Sequence, residues 1–269
     1  MKANWKIALM CVATIAFVAC KDKNKPSGGG EEGGGSDYVK PISVTDKSLS
    51  DWDKLPAEFV FEAVTPADAA MLGLKSVKAY ADKYYIFLQV EPNPEDIVDL
   101  AWVPFHVYIN TDNSDATGGY GDEFTDPNAD VPLEGAVFGN KEASSLAEAA
   151  IPWAPAVFYW WGEVGANGWC WTEHWDEDGY YQDGDGLKWG AIIGEGELQG
   201  TTSQFVNGKI EIEIMRELVP TNSSWNENEF GLGFDIQQNW SSVGVLPCVK
   251  ATDDNPAGHA AKLTVKVDK

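Results

Sequence analysis

Short runs of strict period-two alternation recur along this chain and limit what it can fold into more than any other feature. Tyr84, Ile86, Leu88 and Val90 form one run, and Phe105, Val107 and Ile109 another. Ile210, Ile212 and Ile214 interleave with Glu211 and Glu213; Phe230, Leu232, Phe234 and Ile236 repeat the pattern, and Leu263, Val265 and Val267 close it. Successive side chains of a strand point to opposite faces, so each run predicts a strand with one face on a core and one wet or ligand-facing. Asn207-Gly208, between Gln204-Phe205-Val206 and the isoleucine run, is a two-residue hairpin signal. No long 3.6-period stripe competes with these runs, and helix is expected only in short pieces at 66–72, 142–150 and 216–219. The expectation is all-β: a single-domain, antiparallel β-sandwich over residues 37–269.

Residues 1–36 follow other rules. Lys2 and Lys6 precede an apolar run over 7–18 that is short for a bilayer span and has the basic flank of a secretory signal. Phe17-Val18-Ala19-Cys20 is similar to a bacterial lipobox, although Phe17 stands where Leu is usual. Residues 1–19 are therefore expected to be a signal peptide and Cys20 the lipidated first residue. Residues 20–36 are expected to be a disordered, glycine-rich tether, because Lys, Asn, Pro, Gly and Glu offer nothing from which to build a core. Export also sets the redox setting. Cys170 and Cys248 are then either bridged or two separately buried thiols.

Charge excludes some partners. The chain carries 19 Lys+Arg against 42 Asp+Glu, a formal net charge of -23. A polyphosphate would be repelled before specific contacts formed, so nucleic acid is excluded. Anionic lipid is excluded as a docking surface for the same reason, leaving the lipid anchor as the expected membrane link.

Several segments, taken in order, resemble carbohydrate-binding modules of family nine and their DOMON-like relatives. The first is Ile42-Ser43-Val44-Thr45-Asp46-Lys47-Ser48-Leu49-Ser50-Asp51-Trp52-Asp53-Lys54-Leu55-Pro56, a strand, an acidic turn and a Ser-Asp-Trp step. Val77-Lys78-Ala79-Tyr80-Ala81-Asp82 leading into Tyr84-Tyr85-Ile86-Phe87-Leu88 comes next, then Val107-Tyr108-Ile109-Asn110-Thr111-Asp112-Asn113. Asn207-Gly208-Lys209-Ile210-Glu211-Ile212-Glu213-Ile214 and Phe230-Gly231-Leu232-Gly233-Phe234 complete it. The resemblance implies a β-sandwich that binds sugars, often with structural calcium, and makes Trp52 a core residue. With the tether, it also implies an outer-membrane lipoprotein exposed at the cell surface. There it would hold poly- or oligosaccharide for neighbouring uptake or degradation machinery.

Residues 112–130 hold Asp112, Asp115, Asp122, Glu123, Asp126 and Asp130 with no Lys or Arg. Calcium takes six to eight oxygens from such groups, and uncompensated carboxylates in one loop repel each other without a cation. Asp112, Asn113 and Asp115 are the first candidate ligands, with Asp122, Glu123 and Asp126 next; the plain alternative is a solvated acidic loop. A second acidic run, 176–186, is read as turns.

Seven tryptophans fall between Trp153 and Trp189. So many indoles, each with an N–H that needs an acceptor when buried, exceed what a core calls for. Sugars offer C–H faces to aromatic planes and hydroxyls to nearby carboxylates and amides. Trp161, Trp171, Trp175, Tyr181 and Trp189, with Glu173, are the candidate ligand-binding residues, while others of the cluster belong in the core. The expected function is non-catalytic glycan binding. A glycoside hydrolase using Glu163, Glu173 or Asp176 is the enzymatic alternative. A haem-binding electron-transfer domain, for which only Met71, Met215 and three histidines could serve as ligands, is the third.

Overall fold

The computed structural model describes residues 38–117, 119–121, 124–157, 181–182, 188–189, 198–219, 221, 224–248 and 262–269, with backbone alone at 119–121, 124–128, 181–182 and 188–189. The compact unit is Lys40–Lys269. Its strands are β1 (Phe61–Val64), β2 (Leu74–Asp82), β3 (Tyr85–Pro92), β4 (Val103–Asn110), β5 (Gly119–Gly121), β6 (Phe124–Ala129), β7 (Val131–Phe138) and β8 (Ala156–Val157). They continue with β9 (Tyr181–Gln182), β10 (Lys188–Trp189), β11 (Thr201–Val206), β12 (Lys209–Met215), β13 (Glu229–Gln238), β14 (Ser241–Leu246) and β15 (Leu263–Asp268). Among the described residues, helix is confined to one short turn, α1 (Leu146–Ala149), and 3-10 turns at Ser50–Lys54, Ala57–Phe59 and Arg216–Leu218. The chain is all-β.

Strands β11-β12-β3-β2 form one face of a sandwich and β13-β4-β7-β8 the other, with β1 beside β2 and β14 beside β13. The final strand joins the two faces. Its first four residues pair antiparallel with β13 (Leu232↔Leu263), and its last two run parallel to β2 (Val267↔Ala81). That parallel step is the departure from the antiparallel expectation. On the opposite side, residues 150–155 bridge the edges: Ile151 N–H donates to Val137 O (3.0 Å), and Trp153 N–H to Ser203 Oγ (2.7 Å). Leu198 N–H donates to Pro155 O there (2.7 Å). Gly244 lets β14 close against the start of β2, because a Cβ there would sit 2.4 Å from Leu74 N.

The alternating runs build the core. Ile86, Leu88 and Val90 of β3 and Ile210, Ile212 and Ile214 of β12 meet Phe105, Val107 and Ile109 of β4 and Phe230, Leu232, Phe234 and Ile236 of β13, all buried. Phe105 and Phe234 lie parallel with centroids 6.2 Å apart. Each such side chain contributes roughly 1.5–3 kcal/mol by leaving water. The hairpin at Asn207-Gly208 forms as expected, both residues having positive φ (51° and 79°).

The other face of β3, β4, β12 and β13 is largely covered as well. Residues 40–60 lie over the outer side of β2, β3 and β12 and build a second cluster of Ile42, Val44, Trp52, Tyr80 and Phe87. Trp52 is a core residue, as expected, held on the Ser50–Lys54 turn. Its indole N–H donates to Glu211 Oε1 (2.7 Å), and Gln204 Nε2 donates to the other oxygen (2.6 Å). Beside it, Lys40 pairs with Glu213 at 2.8 Å. These glutamates are covered because each has a donor waiting, a circumstance that alternation alone does not reveal.

Burial pushes the Glu211 carboxyl above the usual carboxylate range; bonds from Gln204 and Trp52 offset part of that, while Asp46 and Asp51 add to it. An acid whose folded pKa is raised contributes most stability below the ordinary carboxylate range and loses it as pH rises through the folded value. Glu211→Ala is expected to cost about 2–3 kcal/mol at neutral pH, because it strands two buried donors. Glu211→Gln, which keeps one acceptor but turns an amide NH2 toward the other donor, should cost about half as much. Urea unfolding of the two variants separates these outcomes.

Candidate functional site

The strongest candidate lies at one end of the sandwich, where β13 turns into β14 and residues 93–102 lead into β4. Gln238↔Ser241 is the last pair of the hairpin, leaving Asn239 and Trp240 as a two-residue turn. Both have left-handed backbone, φ 50° and 64°. Hairpin turns of this geometry favour Asn followed by Gly, because only glycine avoids the Cβ clash at the second position. Here the second residue is tryptophan, and its side chain is 68% exposed. A bulky residue in that backbone region costs of order 1–3 kcal/mol and persists where something else retains it.

Residues 93–102 present a second indole. Ile97 is buried and Leu100 is packed against the main core, so these two side chains peg the segment down. Asn93 N–H donates to Gly73 O (2.8 Å), and Asn140 N–H to Leu100 O (2.8 Å). The carboxylate of Asp99 accepts from Ala101 N–H (3.0 Å) and turns the chain toward β4. What remains outside is Val98, 82% exposed, and Trp102, 53% exposed. The β13–β4 ladder ends at Ile236↔Phe105, and beyond it Gln238 reaches the 93–102 segment through hydrogen bonds with Val98 and Asp99. The two indoles thus belong to one end and to neighbouring strands.

Segments 84–140 and 217–249, which carry Trp102 and Trp240, contain no Lys or Arg. Glu95, Asp96 and Asp99 lie just before Trp102, and Gln237, Asn239 and Ser241 flank Trp240. Exposed rings among carboxylates, amides and hydroxyls can stack on an apolar face and direct hydrogen bonds to its edges. This end has no basic group from these segments with which to hold an anion.

A second polar cluster sits mid-sheet and is structural in character. On the outer side of β7, β4 and β13, Glu134, His106 and Asp235 occupy one cross-strand row. His106 Nε2 is 2.8 Å from Glu134 Oε2, and Nδ1 is 3.3 Å from Asp235 Oδ2, a charge contact without hydrogen-bond alignment. Ser242 Oγ and Gln237 Nε2 each donate to Asp235 at 2.6 Å. Burial would push the imidazole down, but Asp235 and Glu134 outweigh it and hold its pKa up at about 9. His106 is therefore a buried cation between two carboxylates, not the partly exposed strand residue its position suggests.

The acidic loop after β4 is held largely by its own hydrogen bonds. Asp112 accepts from Ser114 N–H (2.9 Å) and from Thr117 Oγ1 at both oxygens (3.0 and 2.9 Å). Asp130 accepts from the backbone and hydroxyl of Thr111 (2.7 and 2.8 Å). Asp115 pairs with Lys262 at 2.9 Å. Asn113, at φ 58°, donates to Glu229 Oε1 (2.9 Å) while its own Oδ1 is buried without a hydrogen-bond partner. Among the described residues, no three His, Cys, Asp or Glu side chains gather as a metal would require. Asp122 and Glu123 lie outside the described residues, and Asp126 is described only as backbone in β6.

Of the indole-dense stretch, Trp153 is sealed in the core, its N–H donating to Phe105 O (3.0 Å) and its ring edge-on to Phe105. Trp161, Trp171, Trp175 and Glu173 lie outside the described residues, as do Cys20 and Cys170; Tyr181 and Trp189 are described as backbone, in β9 and β10. Cys248 is half-buried just past β14, its thiol pushed up by burial and by Asp68. Clustering in sequence points to 153–189 and away from Trp102 and Trp240, which stand alone. The signal for the latter is Asn239-Trp240 between two strand runs, a hairpin step with a ring where glycine belongs.

A groove of about 730 Å³ is lined by Val44, Thr45, Lys47, Ala147 and residues 203–208. Its aromatic ring, Phe205, packs edge-on to Phe138. It has no exposed indole. Comparison with known proteins found no family model and no curated relative that matches the chain.

Proposed function

We propose that the protein is a non-catalytic glycan-binding module whose described contact surface is the end carrying Trp102 and Trp240. One observation carries the reading: an indole kept exposed on strained backbone, in a hairpin that Gln238 ties to the segment carrying a second exposed indole. Stacking of these rings on sugar C–H faces supplies the affinity, and Asp99, Asn239 and Ser241 are placed to choose among hydroxyl arrangements. Trp161, Trp171, Trp175, Tyr181 and Trp189, with Glu173, belong to the proposal as further contacts. Calcium in the loop after β4 is also part of it, with Asp112, Asn113 and Asp115 as first ligands and Asp122, Glu123 and Asp126 completing the set. The module is proposed to sit at the outer-membrane surface through lipid on Cys20, passing glycan to uptake or degradation machinery. No helix among the described residues is long and apolar enough to cross a membrane.

The test is calorimetric titration with cellohexaose, xylohexaose, laminarihexaose, mannohexaose and maltohexaose, before and after EDTA treatment, with a reducing-end assay on the same mixtures. Binding of at least one hexasaccharide without new reducing ends supports the reading. Sugar release turns the assignment to a hydrolase, and failure to bind any of the five counts against it. A thermal midpoint unchanged by EDTA removes the calcium.

A further inference from the structure

The side chain of Gln238 joins the two segments that carry the indoles. It is buried at the end of β13, one residue before the turn. Its Nε2 donates to Asp99 O at 3.0 Å, and its Oε1 accepts from Val98 N–H at 3.4 Å. One amide therefore reads both polarities of the backbone at 98–99, three residues before Trp102, and sits two residues before Trp240. No aliphatic side chain of the same length can do this, and a carboxylate can do only half of it. Elsewhere the 93–102 segment is fixed to Asn140 and to Gly73, which in turn donates its N–H to Val243 O of β14 (2.7 Å), three residues past Trp240; Gln238 is the direct link beside the turn.

The geometry points to Gln238 as a positioning residue that locks Trp102 and Trp240 into one pre-organised aromatic platform. The inference rests on the glycan reading above for its use, although its structural half stands without a ligand. A ligand spanning two rings gains from both only when their spacing is already set. Otherwise the binding step must also order a loop, at a cost comparable with one stacking contact. The glutamine touches neither ring's ligand face; it acts through the backbone that carries them.

Gln238→Met keeps the bulk and removes both bonds. It is expected to weaken the best-bound hexasaccharide about tenfold and to abolish the non-additivity between Trp102→Ala and Trp240→Ala seen in the parent background. Gln238→Glu should bind weakly at neutral pH, where its carboxylate faces Asp99 O, and recover in acid, where the protonated group again donates and accepts. The ligand-free arm uses 5-fluorotryptophan-labelled protein. The fluorine resonances of Trp102 and Trp240 should shift or broaden together in Gln238→Met, while that of core Trp153 stays in place. If both resonances are unmoved, or the indole variants remain coupled in Gln238→Met, the positioning role is wrong. If Trp102→Ala and Trp240→Ala each bind every hexasaccharide like the parent while the resonances do move, the glycan reading fails and the role of Gln238 stands.

Discussion

Replacing both Trp102 and Trp240 by alanine is expected to lower affinity for the best-bound hexasaccharide about a thousandfold while leaving the fold intact. A central aromatic contact is worth about 2.5 kcal/mol when truncated, and because Gln238 couples the two rings the double variant loses about 4 kcal/mol, less than the sum of the single losses. Truncation of exposed side chains away from structural networks changes stability by less than about 0.5 kcal/mol, and alanine at 240 keeps the Cβ and with it the cost of the left-handed backbone. The predicted pattern is therefore large in titration and small in urea unfolding. Affinity that survives in the double variant would move the site elsewhere, most directly to the tryptophans between 160 and 189. Equal loss of affinity and stability would mark both indoles as structural.

The largest effect on stability is expected at His106. Its imidazolium lies between Glu134 and the fully buried Asp235, so His106→Leu leaves two carboxylates facing each other across an apolar gap. Removing one partner of such a cluster costs about 3–5 kcal/mol. The pH dependence has a definite sign. The folded pKa, about 9, exceeds the ordinary 6.5. The contribution is thus fully present below about 6.5 and is lost as pH rises through about 9. Urea midpoints of the parent should fall over that interval, and those of His106→Leu should lack this alkaline decline. A parent midpoint that is flat from pH 6.5 to 10 would contradict a charged imidazole in the row.

What could be read from sequence divides along a physical line. Alternation reports which residues share a face. The inward set of Ile86, Leu88, Ile210, Ile212, Phe230, Leu232 and Phe234 was legible for that reason, as was the hairpin at Asn207-Gly208. It says nothing of what lies over the opposite face. Glu211, Glu213, His106 and Asp235 look like solvent-facing residues, and become interior ones because Trp52 and Lys40 arrive from distant segments, and Gln204 and Ser242 from adjacent strands, with matching hydrogen bonds or charge. The switch of β15 from one face to the other is likewise hidden, since Leu263, Val265 and Val267 alternate as they would in any strand.

The site was less legible than the fold. Local density of tryptophan measures composition, whereas exposure is set by packing, and Trp153 shows an indole of the dense stretch consumed by the core. Trp240 was readable only by combining a turn position with the wrong residue for it. Trp102 could not be singled out, because its exposure depends on Ile97 and Leu100 pinning the preceding loop inward.

The central claim is that Trp240 is retained for contact with sugar at a cost to the hairpin. Thermal unfolding of the parent and of Trp240→Gly, each with and without the best-bound hexasaccharide, tests this most directly. Glycine relieves the left-handed strain, so the free variant should be more stable by about 1 kcal/mol and should lose most of the ligand-induced rise in Tm. A variant that melts below the parent, or that keeps the full ligand-induced rise, would contradict the account.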